Sequence, residues 1–279
     1  MRPARSDAVE RQPDSAAATT NAGIRADRLT KLYGGLPAVS DVSFSIEPGE
    51  VLGYLGPNGS GKSTTVKMIT GLLEPTRGEV LYRGRNISED LVTYKARLGY
   101  VPEEANLYGF LTGYEYLELT GTLRELPLAR LKEKAESMLQ DFGMFPHRHS
   151  PISSYSKGMR QRILLIAALM HNPELLILDE PFSGLDVTMA LIFRQVIKLL
   201  AQNGKAIFFC SPVLEVVEKI CTHLVLLRKG KVVAYGAIDD IRAKGLTPAL
   251  EEAFLQLTEH VDADALASNI VAAAAAPWK

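Results

Sequence analysis

The chain has 279 residues, 47% of them hydrophobic and 23% charged, with a formal net charge of -1. That length supports one large domain or two small ones with a substantial core, and the even charge offers no general attraction to nucleic acid or to an anionic membrane surface. No run reaches the ~18 consecutive apolar residues of a membrane span, and the start lacks the apolar segment of a signal peptide.

Residues 1–22 are polar, rich in Ala, Pro and Ser and without periodicity, and read as a disordered tail. From Ile24 the pattern becomes short apolar strands punctuated by glycine: Ile24–Tyr33, Val39–Ile46 and Val51–Leu55. A glycine-rich loop comes next, then a helix running through Met68 and Ile69. Leu98–Val101, Leu175–Leu178, Ala206–Cys210 and Leu224–Leu227 read as further strands. Several of these are continuous apolar runs, the pattern of parallel strands covered on both faces, so a doubly wound α/β core is expected.

Between about Glu104 and Gln161 the strand signal vanishes. Tyr114–Leu123 and Ala129–Phe142 carry helical periodicity and many charges, which predicts a helical subdomain inserted at about 104–161. At Ser211-Pro212 the local chemistry suggests a helix start, with serine as N-cap and proline at the first position. Val213, Leu214, Val216, Val217, Ile220 and Cys221 then share its apolar face. Cys210 and Cys221 read as small buried hydrophobes of a reduced protein. From Val261 to Lys279 the chain is weakly amphipathic, and residues 237–279 are expected to form a helical extension and tail.

Gly56-Pro57-Asn58-Gly59-Ser60-Gly61-Lys62-Ser63 matches the phosphate-binding loop G-x-x-x-x-G-K-[ST]. Its glycines let the backbone wrap a phosphate, and consecutive N–H groups with the following helix N-terminus supply partial positive charge. Lys62 adds a full charge toward the β- and γ-phosphates, and the Ser63 hydroxyl suits Mg²⁺; Thr64 is grouped with the nucleotide-binding residues. The apolar strand Leu175–Leu178 ends in Asp179-Glu180, paired carboxylates that belong at the carboxyl edge of a parallel sheet, where α/β folds place ligands. Asp179 suits the metal, and Glu180 suits activation of a water against the γ-phosphate. These two pieces specify a P-loop NTPase; no Asn-Lys-x-Asp element favours guanine.

What surrounds Asp179 narrows the reading. Tyr155-Ser156-Lys157-Gly158-Met159-Arg160-Gln161-Arg162 upstream, and Ser183-Gly184-Leu185-Asp186 downstream, resemble the signature motif and D-loop of ATP-binding-cassette (ABC) ATPases. Tyr33 precedes the phosphate loop at the spacing of that family's adenine-stacking aromatic. Gly71–Gly84 and Leu250–Glu259 are also similar to family stretches, so the resemblance runs from about Ile24 to Glu259. It implies an α/β P-loop NTPase core with a mostly parallel sheet, an antiparallel N-terminal β region and the inserted helical subdomain, the cassette covering about 24–236.

The resemblance further implies ATP and Mg²⁺ as cofactors. It also implies a composite site between two cassettes, in a homodimer or heterodimer. The phosphate loop of one chain and Ser156, Lys157 and Gly158 of the other would hold the same nucleotide, with Asp186 among the contacts. Membrane permease subunits would be the partners, nucleic acid would not, and the subunit would sit on the cytoplasmic face of the membrane. The Ser-Lys-Gly-Met signature looks most like that of exporter-type cassettes. Two positions depart from the family pattern. Glu103 stands where glutamine usually follows Pro102, and remains a metal or water contact. Ser211-Pro212 stands where Ser-His is usual, so the histidine that contacts the γ-phosphate in the family is replaced by Pro212. ATP binding is therefore expected with slow hydrolysis; a regulatory subunit paired with a competent cassette is the alternative.

Overall fold

The structure is a computed structural model that describes residues 23–243. The expectations for residues 1–22 and for the C-terminal stretch beyond 243 lie outside the described residues. Contacts divide the chain into Met1–Ile238 and Asp239–Lys279, and both sheets belong to the first unit.

Strands Ile24–Tyr33 (β1) and Leu36–Ile46 (β2) form a hairpin, and Val51–Leu55 (β3) leads into helix Lys62–Ile69 (α1). Next come Arg77–Tyr82 (β4), Arg85–Asn86 (β5), Leu91–Ala96 (α2) and Leu98–Val101 (β6). Helices Gly113–Leu123 (α3), Leu128–Asp141 (α4) and Lys157–Leu169 (α5) succeed them. The rest alternates: Leu175–Asp179 (β7), Val187–Gln202 (α6), Ala206–Ser211 (β8), Leu214–Ile220 (α7), His223–Arg228 (β9) and Lys231–Ala237 (β10).

The strands form two sheets: an antiparallel one in the order β2-β1-β4-β5, and a larger one in the order β10-β9-β3-β8-β7-β6. In the larger sheet only the β10–β9 pair is antiparallel. All residues of β3, β7 and β8 are buried, which explains their unbroken apolar runs. The rings of Phe44, Tyr54 and Phe208 meet with centroids 5.0–5.7 Å apart, fastening β2 of the antiparallel sheet to the centre of the parallel one. Tyr54 also exchanges a 3.1 Å hydrogen bond with Thr65 of α1. The helix opened by the phosphate loop is thus tied to the same core.

The helices form a cluster of their own, in which Leu117, Leu131, Leu139, Ile152, Ile163 and Ile166 are buried together. A reciprocal cap starts α3: Thr112 Oγ accepts from the Glu115 N–H, and the Glu115 carboxylate accepts from the Thr112 N–H.

Two sequence expectations need correcting. Ser211-Pro212 is not a helix cap. Ser211 closes β8, its Oγ accepts from the Val213 N–H at 3.1 Å, and α7 starts only at Leu214. The serine thus makes a local side-chain turn that competes with capping. Val213 accordingly lies outside the helix and is 47% exposed. Beyond these, α2 and β10 carry too little periodicity to be legible: α2 is one turn and a half, and β10 is an edge strand with no buried residue.

His171 joins the two layers, with Nε2 3.0 Å from the Leu98 carbonyl, which also accepts from Arg124 at 3.2 Å. Burial, with Arg124 and more distantly Lys134 adding like charge, pushes its pKa down to about 4. The unfolded chain therefore binds this proton before the folded one does. Stability present above pH ~6.5 falls as the pH approaches 4. Melting temperatures of wild type and His171→Gln between pH 7.5 and 4.5 check this: the variant should lose less stability on acidification, and parallel curves would contradict it.

Candidate functional site

The phosphate loop occupies the turn between β3 and α1. Gly61 takes φ 108°, and a Cβ there would lie 2.6 Å from the Ala38 carbonyl, so only glycine lets the loop pass β2 at this point. The Ser60 carbonyl accepts from the Gly230 N–H and the Gly230 carbonyl from the Ser40 N–H, both at 2.8 Å. The β9–β10 turn thus buttresses the loop from behind. Lys62 is 7% exposed and donates to the carbonyls of Gly56 at 2.7 Å and Pro57 at 3.1 Å. Its ammonium lies folded on two neutral acceptors, which a phosphate oxyanion replaces with a stronger, charge-assisted bond. Asn58, Gly59 and Ser63 are exposed, and Pro57 and Thr64 partly so.

Strand pairing sets the rest. Leu55 lies beside Ser211 and Cys210 beside Asp179, so β8 runs between the phosphate loop and the paired carboxylates. Asp179 is 5% exposed; burial raises its pKa, Glu103 adds to the rise, and the Cys210 thiol hydrogen bond and Lys62 oppose it. Glu180 is likewise raised, by burial first and then by Glu103 and Asp179, against Lys62 and Lys157. Glu180 also holds a left-handed φ of 47°, which costs a non-glycine residue about 1–2 kcal/mol. Its N–H donates to the Cys210 carbonyl at 3.0 Å, and its own carbonyl accepts from Ser183 at 3.0 Å. These bonds fix the strained residue and turn the chain out of β7.

The carboxyl ends of β3, β6 and β7 therefore bring together Lys62, Glu103, Asp179 and Glu180. Among the described residues no three His, Cys, Asp or Glu side chains form a metal cage. Asp179 and Glu180, raised by burial and by the neighbouring Glu103 carboxylate, are hard oxygen donors that, with the exposed Ser63 hydroxyl, suit a cation. Such a set fits Mg²⁺, which favours one or two carboxylates together with substrate phosphates.

Ser156 caps α5, its Oγ accepting from the Met159 N–H at 3.2 Å, and both Ser156 and Lys157 are exposed. A Cβ on Gly158 would collide with the Gly184 carbonyl, so the start of α5 packs directly on the Ser183–Asp186 turn. Gln161, 1% exposed, donates to the Pro181 carbonyl at 3.1 Å. Both oxygens of Asp186 are engaged within the chain, one by the Met189 N–H at 2.9 Å and one by Arg162. Tyr33 is 50% exposed at the end of β1, with the Lys31 ammonium 5.9 Å from its ring centroid. Among the described residues, none of the hydrogen bonds holding the phosphate loop involves the signature, whose Ser156 and Lys157 are exposed. Sequence reasoning gave no role to Gly230 and no contact to Gln161 or Arg162; nothing local to Lys229-Gly230-Lys231 reports what the glycine touches.

Comparison with known proteins agrees with this geometry. The pattern of the ABC transporter family matches residues 39–183. The ABC transporter ATP-binding protein NatA of Bacillus subtilis is 37% identical over 205 residues, 73% of this chain and 83% of that one. The linearmycin resistance ATP-binding protein LnrL of the same organism is 36% identical over 218 residues, 78% of this chain and 70% of that one. A solved ATP-binding subunit of an ABC transporter superposes with a TM-score of 0.78 at 33% identity, covering 85% of this chain and 99% of that one. A dimeric post-hydrolysis cassette, MJ0796 bound to ADP and Pi, shares the fold with a TM-score of 0.70 at 24% identity, covering 77% of this chain and 98% of that one. The chain belongs to the ABC transporter family, as one of its ATP-binding, ATP-hydrolysing subunits.

Proposed function

We propose that this subunit drives export through separate permease subunits on the cytoplasmic face of the membrane, by closing with a second cassette around ATP. The observation that carries the reading is the convergence of Lys62 and its loop with Asp179 and Glu180, while Ser156 stands exposed at the start of α5. Residues 24–236 are the cassette, and the helical segment at about 104–161 is the part that relays closure to the permease.

Gly56–Lys62 hold the β- and γ-phosphates through backbone N–H groups and the Lys62 ammonium, with Ser63 and Thr64 at the helix start. Ser63, Asp179 and Glu103 would hold Mg²⁺ together with phosphate oxygens, where it neutralises developing charge. Glu180, its pKa raised, orients and deprotonates the attacking water. Ser156 and the N–H groups at Lys157 and Gly158 close the site from the second cassette, so the γ-phosphate decides between joined and parted subunits. Tyr33 stacks on the base. Asp186, with both oxygens engaged at home, contributes by shaping the turn it caps. The outward direction is supported by the Ser-Lys-Gly-Met signature, by Glu103, and by a relative named for linearmycin resistance.

Pro212 favours a second reading, a regulatory subunit with weak hydrolysis beside a competent cassette. It lies just past the strand that runs between the phosphate loop and the carboxylates, so a hydrogen-bond donor is missing at the γ-phosphate side. One positioned transition-state donor is worth about 2.7–4 kcal/mol. Steady-state ATPase of the purified chain beside Pro212→His tests it: turnover should rise at least about tenfold in the variant. Equal, robust rates in both would remove the predicted defect.

Base stacking on one aromatic is worth about 1–3 kcal/mol. Tyr33→Ala should therefore weaken ATP binding roughly 5-fold to 100-fold while Tyr33→Phe does not, as read by nucleotide titration. Unchanged affinity in Tyr33→Ala would move the base elsewhere.

A further inference from the structure

One side chain outside the groups assigned to nucleotide and metal joins three elements of the site. Arg162 lies on α5 as the last residue of the signature stretch, and its Nη1 donates to the Phe142 carbonyl at the end of α4, at 3.1 Å. Its Nη2 pairs with the Asp186 carboxylate, whose other oxygen caps α6 through the Met189 N–H. The Arg162 side chain is 23% exposed, so the pair is partly withdrawn from water. Its two donors point at two fixed acceptors, a geometry that the single ammonium of lysine does not reproduce. Two neighbours on α5 reinforce the link: Gln161 donates to the Pro181 carbonyl, and Gly158 lies against Gly184. Contacts from this one helix thus reach Pro181, Gly184 and Asp186, almost the whole turn between Glu180 and α6.

We infer that Arg162 is a positioning residue that makes the signature and the Ser183–Asp186 turn one rigid piece and anchors that piece to the end of α4. It touches no nucleotide. Through Asp186 it sets where the turn after Glu180 lies, and through Phe142 it makes that position follow the helical cluster. The inference rests on the composite-site reading, in which Ser156 and this turn must be presented together to a second cassette. Arg162 therefore matters to the joined state and not to the phosphate loop's own grip on ATP.

The test uses the full chain as wild type, Arg162→Lys, Asp186→Asn and the double variant. Asparagine keeps the α6 cap acceptor and removes only the ionic partner. Four quantities are measured: nucleotide affinity, ATP-driven association, melting temperature and kcat at saturating ATP. Each single variant should lose roughly 10-fold to 100-fold in kcat, the scale of a small misplacement near reacting atoms. Nucleotide affinity and melting temperature should stay near wild type, and the double variant should be no worse than the weaker single one. Undiminished kcat in the single variants, losses that multiply in the double, or a kcat loss matched by lost affinity or stability would each overturn the inference. A wild type that shows no ATP-driven association removes the composite-site reading and this inference with it. A wild type that associates while Arg162→Lys turns over equally fast removes this inference alone.

Discussion

A positive charge held almost out of water, hydrogen-bonded to two neutral carbonyls, is the constraint on which the site is built. Lys62 is 7% exposed and rests on the carbonyls of Gly56 and Pro57. Burying an ammonium there is unfavourable unless an anion comes to it, and the surrounding backbone is bent to receive one. The bend depends on packing behind the loop: the Ala38 carbonyl crowds Gly61, and the Gly230 N–H holds Ser60. The antiparallel sheet and the β9–β10 turn are thereby as necessary to the loop as its own glycines.

Opposite charge balances it across the sheet. Asp179 and Glu180 leave β7 two strands away from the loop, and burial, with the Glu103 carboxylate following β6, raises the cost of ionising both. Such a cluster is poised for a cation and a polyanion together. The left-handed backbone at Glu180 is the local cost of turning the chain so that this carboxylate and the Ser183–Asp186 turn both leave the strand at once. The signature helix then packs onto that turn, so chemistry at β7 and the surface offered by α5 are mechanically joined.

Much of this was legible because the strongest signals are backbone requirements. Gly61 and the run into Lys62 mark a loop between strand and helix, and the unbroken apolar runs of β3, β7 and β8 mark strands buried on both faces. Ile24–Tyr33, Val51–Leu55 and Leu98–Val101 have the bounds expected of them. Ser211-Pro212 misled because the same two residues suit a helix cap and a side-chain turn, and only the end of β8 decides between them. Gln161 and Arg162 were visible as residues of the signature but not as contacts. Their partners, Pro181 and Asp186, lie 20 and 24 residues away in sequence, and no local pattern reports such a pairing.

The central claim is that one triphosphate is gripped from two sides, by the loop around Lys62 and by Ser156–Gly158 of another cassette. Light scattering on Glu180→Gln, in which bound nucleotide persists because turnover is blocked, measures this most directly. The account predicts that the mass doubles with MgATP and stays monomeric with ADP. A protein that remains monomeric at every ATP concentration, by itself and when mixed with its permease, would contradict it.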